Sequence, residues 1–255
     1  MRIAKHPTTS AQMTVPDYIK SYGHRPIAGT DLRPHPRCPF CGQGLTIVAG
    51  KTDYTTGHFA HFPNSGFCPS KEPAGRPYLR LSPVDPDPAH GDYLRKMFWK
   101  YWERIYGRLC DLVPYLSLNE FIALIREANR LRVWEYRHLE LWEIPYVFVL
   151  LADFPAKTGI KKNGKPCRIY WFRFWYAPSV KSIDDLWIRP EIEPTLFRAS
   201  FEQPRRDGTI PGYDKLVKFY PIHQDRDYLA NQPEDPIKGW VRKEVEERLP
   251  MLLRF

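Results

Sequence analysis

The sequence predicts an α+β chain in which helices pack on an antiparallel sheet behind a small knuckle or ribbon module built on cysteine and histidine. Three observations carry this. Three of the five cysteines fall between positions 38 and 68, together with His58 and His61. Apolar residues recur at helical spacing from position 92 into the 120s. From 145 onward, short apolar and aromatic runs of strand length are separated by segments bearing glycine and proline, before a last helical pattern closes the chain.

Residues 1–32 read as a polar, irregular arm with prolines at 7, 16 and 26, in which Val15 to Tyr22 orders against the module that follows. That module spans 33–70. Its first half is Cys38-Pro39-Phe40-Cys41-Gly42, and two cysteines two residues apart on a tight turn aim both sulfurs at one point. Zinc needs that start, because it takes Cys thiolates at about 2.3 Å and His nitrogens at about 2.0–2.1 Å in a tetrahedron. Leu45 to Ala49 forms one strand of a hairpin, the segment near Gly57 to Phe62 its partner, and the turn between them starts at Gly50 to Asp53.

The second half offers His58, His61 and Cys68, so there are five candidates for the four places of a closed structural site. Cys38, Cys41 and Cys68 are three of them. His61 is favoured as the fourth, lying nearer to Cys68 and needing a shorter loop, and His58 is the alternative. A redox Cys-x-x-Cys would sit between a strand and a helix with no such partners downstream, which makes structural Zn2+ the cofactor predicted here.

Cys38-Pro-Phe-Cys-Gly, the apolar strand through Leu45, Ile47 and Val48, His58-Phe-Ala-His61 and Cys68-Pro69 together resemble the N-terminal zinc-binding region of the competence protein CoiA-like family. The resemblance covers about 35 residues and names a module only. It implies a bacterial protein linked to the processing of incoming DNA, with a nuclease-like domain after the zinc region.

Composition agrees with a folded chain that meets a polyanion. A length of 255 residues with 43% apolar and 15% aromatic residues can bury a sizeable core. Thirty-eight Lys and Arg against 29 Asp and Glu leave +9, which favours nucleic acid over an anionic membrane surface as partner. No run of 18 apolar residues and no signal-peptide core occurs, and the clustered thiols suit a reducing compartment, so a cytoplasmic location without membrane contact is predicted.

Residues 71–91 are proline-rich and read as a semi-rigid connector to an α+β domain over 92–255. Asp92 is read as the N-cap of a helix to 110, with Leu94, Met97, Phe98, Tyr101, Ile105 and Leu109 inward. Another face carries Lys96, Lys100, Arg104 and Arg108, whose mutual repulsion at four-residue spacing is relieved by a phosphate backbone or by water. Ser117-Leu-Asn-Glu120 is a capping box opening a second helix, with Leu118, Phe121, Ile122 and Ile125 buried and Arg126 and Arg130 adding charge. Two successive helices, the second arginine-rich, invite a helix-turn-helix reading.

Pro145 to Ala152 is read as a strand that pairs with Arg168 to Tyr176 across a basic loop, 157–165, bearing Lys161, Lys162 and Lys165. The second run is densely aromatic. One of its faces is core, and the other is either covered by a helix or open as a platform for bases or a protein partner. Strands follow at Leu196 to Phe201 and Leu216 to Ile222, joined through Pro204 to Gly208. A closing helix, Gly239 to Leu249, turns Trp240, Val241, Val245 and Leu249 inward and ends at Pro250.

A metal-dependent nuclease needs an acidic residue followed by acidic-x-Lys on a neighbouring strand. Asp153 suits the first place, but Ile169-Tyr-Trp-Phe-Arg173 stands where the second is needed. Asp184, Asp185, Glu191 and Glu193 lack a lysine at that spacing, and His223, Asp225 and Asp227 form only a loose set. No catalytic residues are assigned. The predicted function is therefore a zinc-containing nucleic-acid binder, DNA first, in bacterial DNA uptake, mobile-element or phage-conflict processes. A divergent CoiA-like nuclease and a protein-interaction adaptor are the alternatives. Phosphate contacts are predicted at Lys96, Lys100, Arg104, Arg108, Arg126, Arg130, Lys161, Lys162 and Lys165.

Overall fold

The computed structural model describes residues 1–9, 11–23, 33–48, 57–68, 78, 80–162, 165–177, 179–188, 193–204, 209–212, 215–231 and 237–253, apart from the side chains of 160–167. It is mixed α and β, with helices and small antiparallel sheets, as the sequence predicts. The expected turn at 50–53 and most of the connector lie outside the described residues.

The opening stretch is more ordered than its composition suggests. Ile3–Lys5 (β1) pairs antiparallel with Gln12–Thr14 (β2), which runs directly into the helix Val15–Tyr22 (α1). Three-residue strands are too short for alternation to be read. The helix has a local cause: Thr14 and Asp17 form a capping box, with the Asp17 carboxylate accepting from the Thr14 backbone N–H at 2.9 Å. Tyr18 is buried edge-on to Phe59, with ring centroids 6.5 Å apart, so Val15–Tyr22 does order against the module.

The module's hairpin is Leu45–Val48 (β3) against His58–His61 (β4), in the register Leu45 with His61 and Val48 with His58. Lys5 and Arg37 exchange backbone hydrogen bonds of 2.8 and 2.9 Å, tying β1 to the segment that enters the knuckle.

The first long helix is Pro88–Leu112 (α2), and its N-cap is Asp87 rather than Asp92. The Asp87 carboxylate accepts from the His90 N–H at 3.0 Å. Gly91 lies inside the helix, where an added Cβ would come within 2.9 Å of the Glu135 side chain and 3.5 Å of the Trp134 backbone. The missing side chain is what lets the turn Val133–Glu135 close on α2. Trp102 takes a buried place on this helix, while Met97 and Tyr101 are half-buried.

Leu118–Arg130 (α3) starts at the predicted Ser117/Glu120 capping box and buries the predicted stripe. The helix-turn-helix reading is not what the helix ends support. A recognition helix offers its N-terminal residues to base edges, whereas here Glu120 is engaged by Lys157 and Arg168.

Residues 145–152 are a correction. Ile144–Phe148 (α4) is a short helix, followed by turns, and every residue from Ile144 to Leu150 is buried. A short apolar run buried on all sides has no periodicity to separate strand from helix. Pro145 in the first turn, where no intrahelical donor is needed, settles it as helix.

The expected loop 157–165 is itself a hairpin, Lys157–Lys162 (β5) with Lys165–Arg168 (β6). The aromatic strand is Trp171–Tyr176 (β7), and all six residues are buried, so both faces are covered and β7 offers no open platform. It pairs with Leu196–Phe201 (β8), which pairs with Leu216–Ile222 (β9), at the predicted bounds.

The last helix, Gly239–Leu253 (α5), runs past Pro250 because Val241, Val245, Leu249 and Leu253 continue one buried stripe. The carbonyl that Pro250 leaves without a donor belongs to the exposed Glu246 and can bond water. Trp240 points outward, 63% exposed, since it precedes that stripe by one position.

Candidate metal centre

The ligand cluster is assembled by two elements. The Cys38–Cys41 turn closes with the Gly42 N–H donating to the Cys38 carbonyl at 2.9 Å and the Cys38 N–H to the Gln43 carbonyl at 2.8 Å. Gly42 has φ of 72°, in the left-handed region that a residue with a side chain enters at a cost. The Gln43 side chain then donates to the Phe67 carbonyl at 2.9 Å, fixing the irregular segment that delivers Cys68.

Cys38, Cys41, His61 and Cys68 bring their ligand atoms within 4.8 Å of one another. The Cys38 and Cys68 sulfurs are 3.7 Å apart, and Cys41 Sγ is 3.2 Å from His61 Nε2. A tetrahedron of bonds of about 2.3 Å has an edge of about 3.8 Å, so the spacing fits one ion at the centre. Cys38 and Cys68 are buried, and Cys41 and His61 are half-buried. Four protein ligands leave no open coordination place, which is the pattern of a structural rather than a catalytic site.

Of the two candidate histidines, the pleat selects His61. Side chains alternate along a strand, so His58 and His61, three apart on β4, face opposite ways. His61 shares its face with the buried Phe59, on the side of the cysteines.

The clustered thiols shift one another's titration. Burial pushes the Cys38 pKa up, and the neighbouring Cys41 and Cys68 push it further. Cys41 is pushed down, first by hydrogen bonds from the Cys38 and Cys68 thiols and then by His61. A bound cation would displace the thiol protons, since zinc takes cysteine as the thiolate.

Phe40 sits between the two knuckle cysteines and points away from the cluster. It is buried among Trp175, Phe197 and Phe219, at centroid distances of 4.7, 5.9 and 4.7 Å. The buried residues of the module and of the body therefore form one continuous core.

The predicted phosphate contacts divide. Lys96, Lys100 and Arg126 are exposed, and Arg130 is exposed but bonded to Glu127 at 2.6 and 2.8 Å. Arg104 and Arg108 are spent internally. Arg104 donates to the Leu229 carbonyl, while Arg108 donates to the Tyr146 hydroxyl at 3.0 Å and the His223 carbonyl at 2.9 Å. The four-residue ridge thus keeps only its first two cations for solvent, because the last two meet a C-terminal segment that helical spacing cannot reveal. The side chains of Lys161, Lys162 and Lys165 lie outside the described residues.

Of the carboxylates considered for nuclease chemistry, Asp153, Asp184, Asp185 and Asp225 are engaged elsewhere, and Glu191 lies outside the described residues. Asp153 holds the buried Arg173 through two hydrogen bonds of 2.8 and 3.1 Å. Asp185 caps a turn by accepting from the Lys181 and Ser182 N–H groups, and Asp225 accepts from the Asp227 N–H. Among the described residues, the grouping of Cys, His, Asp and Glu placed to hold an ion is the Cys3His cluster. Sequence reasoning missed Phe40 as a docking residue, although an aromatic between two ligands must point away from the ion.

Fold and site together define an α+β chain carrying a closed Cys3His centre that could hold a metal ion, consistent with zinc. Residues 27–74, the stretch containing that centre, match a family described as a domain of unknown function (DUF7830). No curated protein and no solved structure matches the chain. Among the described residues, no helix is long and apolar enough to cross a membrane.

Proposed function

We propose that this chain is a zinc-containing nucleic-acid-binding protein whose ligand is DNA. The convergent Cys3His cluster carries the metal half of the reading, since three soft thiolates and one imidazole in a tetrahedral, closed arrangement suit Zn2+ better than other common divalent ions. A cluster of thiols this close also favours a reducing, cytoplasmic setting. The net charge of +9, with Lys96, Lys100 and Arg126 exposed on α2 and α3, supports the polyanion half. The resemblance of the module to the CoiA-like zinc region supports a role in DNA uptake, mobile-element or phage-conflict processes. The pairing of Asp153 with Arg173 favours binding over cleavage.

Binding of a labelled duplex oligonucleotide at rising salt tests the reading. The association constant should fall linearly on a log–log plot with a slope of about −0.9 per phosphate neutralised. A protein that retains no oligonucleotide, duplex or single-stranded, even at low ionic strength would overturn it.

A further inference from the structure

β9 is an edge strand of the three-stranded sheet, and its alternation sets Lys218 and Tyr220 on one face. Cross-strand pairing places Ser200 opposite Lys218 and Arg198 opposite Tyr220, with Phe172 opposite Ser200 on the other side. Tyr170 immediately precedes β7.

These side chains interleave cation and ring. Lys218 Nζ lies 4.9 Å from the Tyr170 ring centroid and 5.6 Å from that of Tyr220. The Arg198 guanidinium lies 5.1 Å from the Phe172 centroid and 5.6 Å from Tyr220. Tyr220 is 38% exposed, and Tyr170, Lys218 and Arg198 are half-buried at its side.

Among the described residues, the arginines divide between those held by a carboxylate and those that are not. Arg108, Arg130, Arg132, Arg137, Arg168 and Arg173 all pair with carboxylates. Arg198 donates instead to the Leu112 carbonyl at 2.9 Å, and among the described residues neither it nor Lys218 pairs with a carboxylate. Burial lowers the Arg198 pKa, which expresses the cost of a half-desolvated charge without a counter-ion. An anionic ligand would offset that cost and draw the cations off the Tyr220 ring, whose exposed part would take a flat, unpaired base, as sequence-tolerant single-strand sites do. A duplex keeps its bases stacked inside and offers such rings nothing.

We propose that this edge, centred on Tyr220 with Tyr170, Lys218 and Arg198, is a single-stranded nucleic-acid site in which bases stack on tyrosine and phosphates meet the two cations. The inference rests on the nucleic-acid reading above and adds strandedness and location to it.

Anisotropy titrations at low salt with a labelled thymidine oligonucleotide and a duplex of equal length test it. Tyr220→Ala should weaken single-strand binding about tenfold, Tyr220→Phe should restore it, and Lys218→Ala should weaken it while lowering the salt slope by about 0.7. Duplex affinity should not change with any of the three. Single-strand affinity within twofold of wild type in Tyr220→Ala overturns the site, leaving the cations as protection of a strand edge against pairing. Loss of both ligands only in the Lys96→Ala/Lys100→Ala variant also overturns it while sparing the broader reading. Wild-type protein that binds neither oligonucleotide overturns both. Thermal melts of each variant confirm folding, and the exposed position of Tyr220 makes Tyr220→Ala tolerable.

Discussion

Phe40 stands edge-on to Trp175, with ring centroids 4.7 Å apart and planes at 85°. One residue belongs to the metal knuckle and the other to β7 of the three-stranded sheet, so the contact fixes where the module sits. Phe40→Ala should cost about 3 kcal/mol, the usual scale for a buried Phe truncation, while leaving the metal content unchanged. Denaturant unfolding and metal analysis of the same samples check this. A double-mutant cycle with Trp175→Leu should return a coupling of about 0.5–1.5 kcal/mol.

Metal analysis should find one zinc per chain under reducing conditions. His61→Ala should lose it and His58→Ala should keep it, because the pleat turns His58 to the other face of β4. A strong chelator should lower the melting temperature of wild type and of His58→Ala, with little further effect on His61→Ala.

Glu120 ties two cations, Lys157 at 2.6 Å and the fully buried Arg168, to the start of α3. Removing one partner of a buried pair leaves the other charge unpaired, so Glu120→Ala should cost about 3–5 kcal/mol. Burial raises the Glu120 pKa, but hydrogen bonds from Lys157, Ser117 and Arg168 outweigh it and hold the carboxyl below its usual range. Its stabilising share is therefore present above the unfolded-state carboxyl pKa and is lost as pH falls through the lower folded value. Urea midpoints between pH 3 and 7 should show a slope for wild type that is reduced in Glu120→Ala, which marks these pH values as about the window to sample.

Glu143 works with the opposite sign. Burial pushes its pKa up to about 7, against the opposing backbone N–H of Glu140 and the Trp187 indole, which donates to both carboxylate oxygens at 3.2 Å. The folded state holds this proton more tightly than the unfolded chain, so the contribution is full below pH of about 4.5 and is lost as pH rises through about 7. Glu143→Gln should remove that component of the pH dependence and be relatively more stable above pH of about 7, as urea midpoints on both sides will register.

Much of the fold was legible because its causes are local. The Ser117/Glu120 capping box set the start of α3, and β8 and β9 lie at the bounds expected from their apolar runs of strand length. The Cys3His cluster was legible from spacing, which favoured His61 for its shorter loop to Cys68, and the structure places His61 on the side of the cysteines. Short β1 and β2 and the helix at 144–148 were not legible, since three-residue strands and fully buried runs carry no period. Arg104 and Arg108 look free on a helical wheel, but their partners, Leu229 and His223, lie more than 100 residues away in the chain.

By itself, then, the sequence determined the elements with strong periodicity, the five candidate ligands of the metal centre and the cationic balance of the chain. The tertiary structure alone decided which cations remain for a ligand, that both faces of β7 are buried, and that the accessible aromatic–cation surface lies on the β9 edge. The reason is physical. Backbone conformation and ligand spacing follow from neighbours a few residues apart, whereas the exposure of a side chain is set by whatever distant segment packs over it.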